Sequence, residues 1–269
     1  MASPGSALRL VPLGTNGYIP THGRHTMSFL LLGEEALLLD AGTGVARLAE
    51  PAIAALLRPY PRLDVLLTHY HLDHVVGLVY LPGLWPDRPV RIAGPAPPLA
   101  DCGPRRALEL LLNPPLCGLP LAEFPMPVEI VELSEPRAEL AGLAIALRRQ
   151  HHPGGSVGVR IGDALAYVTD TSPDPATAEL ARGVDLLLHE VWKTDEEIGA
   201  APPGEPDGGH SHLSRVAAIA RQAGARRVMP VHHHPRRSEG ELHAIVAALG
   251  ERSGCEALLP EEGRVYEVG

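Results

Sequence analysis

The sequence holds one lysine, Lys193, among 269 residues, and its basic side chains never form a run longer than Arg-Arg. With a net charge of −9, the chain has no basic stripe for gripping a phosphate backbone, so long nucleic acid is not the expected partner. Cysteine is nearly as scarce. Cys102, Cys117 and Cys255 are scattered and never form Cys-x-x-Cys. That argues against a disulfide framework and a thiolate metal site, and it suits a reducing cytoplasm. No apolar run approaches the roughly 18 residues that cross a membrane. The opening MASPGSALRLVPLG has neither a basic start nor a continuous apolar stretch, so no secretory leader is expected and a cytoplasmic location is. Repeats, heptads and low-complexity linkers are missing too.

What remains is a globular chain, 45% hydrophobic, with 14 histidines that call for an explanation. Its segments alternate. SFLLLGEEALLLDAG reads as two strands around a turn at Gly33–Glu35, ending at Asp40. PAIAALLR is helical and LDVLLTH a buried strand. ELAGLAIALRRQHH is a strand pair running out into His151 and His152, and SVGVRIGDALAYVTDT a hairpin turning at Gly162–Asp163 and ending at Asp170. VDLLLHE and RRVMPVHHHP are strands, and SRVAAIARQAGA is a helix closed by Gly224. Between Leu81 and Val128 the chain is proline-heavy, with RRALELLLN its one continuous helix. Such a stretch suits a lid over a site or a structural elaboration.

The positions of the polar residues carry the functional argument. His69, His152, Asp170, Glu190 and His232 each stand at the C-terminal end of an expected strand. A strand that stays apolar inside presents polar groups only where it emerges. In LLTHYHLDHVVGL, His69 and His71 alternate by two and share a face on extended chain, while Asp73 and His74 follow where a helix begins. Neutral imidazoles and carboxylates are ligands that suit zinc, manganese or iron. Four such groups in six residues are costly to bury without a partner.

His-x-His-x-Asp-His after a buried strand, preceded by LLLDAGTG, resembles the signature of the metallo-β-lactamase superfamily. The resemblance covers nearly the whole chain, through GTNGYIPTHGRHTMSFLL, HHPGGSVGVRI, AYVTDT and VMPVHHHP. It implies an α/β fold, a four-layer αββα sandwich, as one domain over residues 1–269 with a Pro-rich insert at about 81–128. It also implies two divalent metal ions at one edge of the sheets, zinc foremost, with manganese or iron open. Carried over, His69, His71 and His152 go to one metal, and Asp73, His74 and His232 to the other, with Asp170 bridging. His152 is favoured over His151 because the related pattern reads His-Pro-Gly-Gly, and neighbours on a strand point to opposite faces. A carboxylate at Asp170 resembles the binuclear hydrolases, whereas β-lactamases commonly use cysteine in that region. That weighs against antibiotic hydrolysis.

LLLHEVW and GGHSHLSRVAAIARQAGARRVMPVHHHP resemble two motifs of the ribonuclease Z-like phosphodiesterases, His-Glu-Ala-Thr and His-Ser-Thr. The resemblance implies Glu190 and His210 as a proton relay, a plain salt bridge being the alternative. The chain departs from the pattern in placing His212 where threonine stands. The implied activity is hydrolysis of a small or cyclic phosphodiester by a hydroxide shared between the metals. Asp73 would orient the nucleophile and His210 would protonate the leaving oxygen. Transfer-RNA 3′-end processing is less favoured, because ribonucleases of this kind carry a long basic arm. A thioester or lactone hydrolase on the same core stays open, as do an iron-dependent redox relative and a non-catalytic binding module. The expected partner is a small-molecule substrate, with a homodimer as the assembly many relatives adopt. His25, in the opening loop, and His212 are the histidines whose part in the site the sequence leaves open.

Overall fold

In Ser28–Leu32 and Ala36–Leu39 nearly every residue is apolar and all are buried, which marks strands covered on both faces. The computed structural model describes residues 7–200 and 209–269; Met1–Ser6, part of the stretch read for a leader, lie outside them. The strands are β1 (Leu8–Gly14), β2 (Ser28–Leu32), β3 (Ala36–Leu39), β4 (Leu63–Leu66), β5 (Val90–Pro95), β6 (Val128–Leu133) and β7 (Arg137–Leu140). They continue as β8 (Leu143–Gln150), β9 (Ser156–Ile161), β10 (Leu165–Val168), β11 (Leu186–Glu190), β12 (Arg227–Val231), β13 (Glu256–Ala257) and β14 (Tyr266–Val268). They form two sheets, ordered β14-β1-β2-β3-β4-β5-β6 and β13-β12-β11-β10-β9-β8-β7. Helices α1 (Pro51–Leu57), α2 (Leu72–Val75), α3 (Leu81–Leu84) and α4 (Pro104–Leu111) accompany the first sheet. Helices α5 (Thr177–Leu180), α6 (Asp195–Ala200), α7 (Leu213–Ala223) and α8 (Glu239–Ser253) accompany the second.

The alternation of side chains along a strand sorts the core into layers. Phe29, Leu31, Leu37 and Leu39 of the first sheet meet Leu165, Tyr167, Leu186 and Leu188 of the second in the central core. Their neighbours Leu30, Leu32 and Leu38 face outward onto Ile53, Leu57 and Leu108. Ala166, Val168 and Leu187 face outward onto Val216, Ile219 and Ile245 of α7 and α8. The chain is thus an α/β four-layer αββα sandwich. Each buried Leu or Phe contributes roughly 1.5–3 kcal/mol by leaving water, and the central layer holds the sheets face to face. Helix α8 starts with a capping box between Ser238 and Glu241, and α7 ends at Gly224 with φ 65°, as its sequence indicates.

The Pro-rich stretch differs from the expectation of an insert over 81–128. Val90–Pro95 inside it is strand β5, parallel to both β4 and β6, and it lies within the first sheet. Prolines flank this strand at Pro89 and occupy its last position at Pro95, where they cost the ladder little. The remainder carries α3, α4 and irregular chain. The three cysteines are free. Among the described residues no helix is long and apolar enough to cross a membrane.

Candidate metal centre

Parallel β10, β11 and β12 end together, and β8 runs in the same direction through antiparallel β9. The exits of these strands bring His152, Asp170, Glu190 and His232 to one edge. Opposite them, the first sheet delivers His69 and His71 just past β4, and Asp73 and His74 on α2, which begins after extended His71. Asp40, Asp170 and His232, each at a strand exit, take left-handed backbone with φ of 56°, 51° and 53°. That conformation costs of order 1–3 kcal/mol for a residue with a side chain and gathers at functional sites.

Potential ligand atoms of His69, His71, His152 and Asp170 all lie within 4.8 Å of one another, as do those of Asp73, His74 and His232. Asp170 stands between the halves. Its Oδ1 is 3.6 Å from His152 Nε2. Its Oδ2 is 3.1 Å from His74 Nε2 and 3.3 Å from His232 Nε2. Asp73 Oδ2 is 3.4 Å from His74 Nε2 and 3.5 Å from His232 Nε2.

The donor set fits divalent metal. His69 Nε2, His74 Nε2 and His232 Nε2 are buried without a hydrogen bond of good geometry, although native proteins seldom orphan such atoms. His152 Nε2 and His71 Nδ1 face each other at 3.1 Å, a spacing that needs a proton or a cation between two lone pairs. The opposite ring nitrogens are anchored. His74 Nδ1 donates to Asp40 Oδ2 at 2.9 Å, His69 Nδ1 lies 3.1 Å from Thr68 Oγ1, and His152 Nδ1 lies 3.1 Å from Gly209 O. Such anchors fix tautomer and ring direction in metal sites.

The field of the cluster favours positive charge. Burial would lower His74 and His232, but Asp73 and Asp170 hold His74 well above the usual histidine range, and Asp170, Asp73 and Glu190 push His232 up to about 10. Burial would likewise raise Asp73 and Asp170, yet the surrounding imidazoles hold both below the usual carboxylate range. Burial, reinforced by neighbouring histidines, keeps His69 and His71 low and therefore neutral, the form that ligates.

Glu190 and His210 meet beside the cluster. His210 Nδ1 donates to Glu190 Oε2 at 2.9 Å, and Glu190 Oε1 accepts from Thr171 N at 2.7 Å and Ser211 N at 3.1 Å. The same Oε2 lies 3.4 Å from His232 Nδ1. Burial raises Glu190, but the hydrogen bonds with His210 and His232 outweigh it and hold the carboxyl at about 2. Trp192 stacks on His210 with ring centroids 4.6 Å apart and packs against His232 at 5.1 Å.

Other histidines sit elsewhere. His151 is exposed beside Asp174. His212 turns to Asp195, with Nδ1 3.2 Å from Oδ1, and His25 lies against Thr43. Among the described residues neither His212 nor His25 belongs to a metal-competent group. Asp40, Thr68, Tyr167 and Trp192 are site neighbours that residue type alone does not single out. Only Asp40 left a sequence signal, as a polar residue ending an apolar strand.

Residues 35–233 match the family model described as beta-lactamase superfamily domain. The chain belongs to the metallo-β-lactamase superfamily of metal-dependent hydrolases. Among its relatives is a ribonuclease Z of Natronomonas pharaonis, 26% identical over 97% of this chain and 98% of that one. The metallo-β-lactamase fold protein YhfI of Bacillus subtilis superposes with a TM-score of 0.74 at 18% identity, covering 97% of this chain and 100% of that one. A diphosphatase from the PhnP family gives 0.66 at 20% identity, covering 97% of each.

Proposed function

We propose that this superfamily member hydrolyses a small or cyclic phosphodiester. The observation that carries this reading is the Glu190–His210 hydrogen bond, set against the cluster through the contact of Glu190 with His232. A ribonuclease Z relative and a diphosphatase of the same fold support phosphate-ester chemistry.

His69, His71 and His152 would hold one divalent ion and Asp73, His74 and His232 the second, with Asp170 shared and zinc the ion these donors suit best. When bound, such a pair lowers the pKa of a water and neutralises charge on phosphoryl oxygens. Asp73, whose Oδ2 accepts from Tyr18 N at 2.7 Å, orients the attacking water. As the new bond to phosphorus forms, the bond to the leaving oxygen breaks and His210 supplies that oxygen with a proton from Nε2. Glu190 is a positioning residue. It holds Nδ1 of His210 and orients the ring, which acts as the imidazolium, so that Nε2–H is the proton delivered. The net charge of −9 and the lack of any basic run longer than Arg-Arg support a small substrate over a long nucleic acid.

A general acid matters most when the leaving group is poor. His210→Ala is therefore expected to slow a phenyl diester about 10²–10⁴-fold and a p-nitrophenyl diester far less. Glu190→Gln should move both in the same sense by less. Equal losses across leaving groups, measured as kcat on the metal-loaded protein, would remove His210 from proton transfer.

A further inference from the structure

Next to the cluster lies a cavity of 610 Å³, within the roughly 300–1,000 Å³ of small-molecule sites. His71 and Asp73 line it, so it opens on the candidate metal centre, and Tyr18, Ile19, Leu72 and Val76 give it an apolar wall. Three of these apolar side chains face solvent, Tyr18 at 70%, Leu72 at 61% and Ile19 at 44% exposure. A concave, mostly apolar wall beside a few polar groups suits a small-molecule site.

The backbone under the aromatic ring is specially held. Tyr18 has φ 63°, where bulky side chains rarely sit, and its N–H donates to Asp73 Oδ2 at 2.7 Å. A Cβ on the preceding Gly17 would stand 2.3 Å from the His232 ring, so the loop lies directly on that ring. The platform is pinned to Asp73 and His232, two residues of the cluster. Thr26 and Thr43, the hydroxyl residues of the lining, bond each other, each backbone N–H donating to the other's Oγ1 at 2.8 Å. No arginine or lysine lines the cavity.

We infer that this cavity receives a planar aromatic group joined to the scissile phosphodiester, and that Tyr18, Ile19 and Leu72 set specificity for it. The inference rests on the phosphodiesterase reading above and narrows its substrate. A second phosphate of an extended strand would find no cation here and the carboxylate of Asp73 at the edge. An aliphatic arm would gain burial alone, whereas an aromatic ring also gains the offset stacking that Tyr18 offers.

Two diesters sharing a p-nitrophenolate leaving group test this, one with a phenyl and one with a methyl group on the other arm. The metal-loaded wild type is expected to prefer the phenyl diester about tenfold or more in kcat/KM. Tyr18→Ala and Leu72→Ala should each cut that ratio at least fivefold through KM, while Tyr18→Phe keeps it. An unchanged ratio in both alanine variants, or equal losses on both diesters, overturns the inference and leaves the phosphodiesterase reading standing. Calorimetric titration with adenosine and with ribose reads the cavity without turnover. Adenosine binding that Tyr18→Ala abolishes supports the cavity even if neither diester is hydrolysed, whereas adenosine binding no better than ribose overturns it.

Discussion

At Asp40 a single buried carboxylate serves three neighbours. It accepts from Thr68 N at 2.7 Å, from Tyr167 Oη at 2.7 Å and from His74 Nδ1 at 2.9 Å. Its task is orientation, because His74 can aim Nε2 at Asp73 and Asp170 only while Nδ1 is held from behind. Asp40→Ala is expected to weaken metal binding about 10–100-fold, read by competition against a chromogenic chelator. Unchanged affinity would show that packing alone orients His74. The carboxylate is visible in LLLDAGTG as the end of an apolar run, but its partner Tyr167 lies 127 positions away, and no local pattern connects them. The candidate ligands were legible for the opposite reason. His69, His71, Asp73 and His74 fall within six positions, where spacing alone argues for a shared task. His212 shows the limit of residue type, since a histidine one position past Ser211 turns to Asp195 and away from the cluster.

At the scale of elements, the site is a set of strand exits, and those were readable because apolar runs stop abruptly at polar residues. β5 was less so. Proline and glycine at Pro89, Gly94 and Pro95 resemble loop punctuation, and only pairing on both sides makes Val90–Pro95 a strand. On the second sheet's outer side, α6, α7 and α8 are tied through Asp195, which accepts from Ser214 Oγ at 2.6 Å and from His212 and Arg252. Partial burial would raise this carboxyl, but the Ser214 and Arg252 hydrogen bonds outweigh it and hold it at about 2 against an ordinary 3.8. A depressed carboxylate stabilises the fold above pH 3.8 and loses that contribution as pH falls toward 2. Solvent screening keeps the contribution to about 1 kcal/mol or less. Asp195→Asn is expected to lower the urea midpoint slightly at pH 6, with the gap to wild type closing between pH 4 and pH 2. A gap that stays constant over that range would assign the effect to packing.

Over the whole molecule, the sandwich brings two sheet edges together so that each contributes half of one cluster. His69, His71, Asp73 and His74 come from the first sheet's side, and His152, Asp170, Glu190, His210 and His232 from the second's. Neither the group of His69, His71, His152 and Asp170 nor, with Asp170 added, that of Asp73, His74 and His232 comes from one sheet alone. The central layer built on Phe29, Leu31, Tyr167 and Leu188 therefore sets the registry of the site as well as the stability of the fold. The most direct test of the account is one experiment on purified protein of measured metal content. Wild type and Asp170→Ala are assayed side by side on bis(p-nitrophenyl) phosphate and on a thioester. The account predicts about two metal ions per chain and diester turnover in the wild type, with both lost in the variant. Turnover of the thioester alone would contradict it.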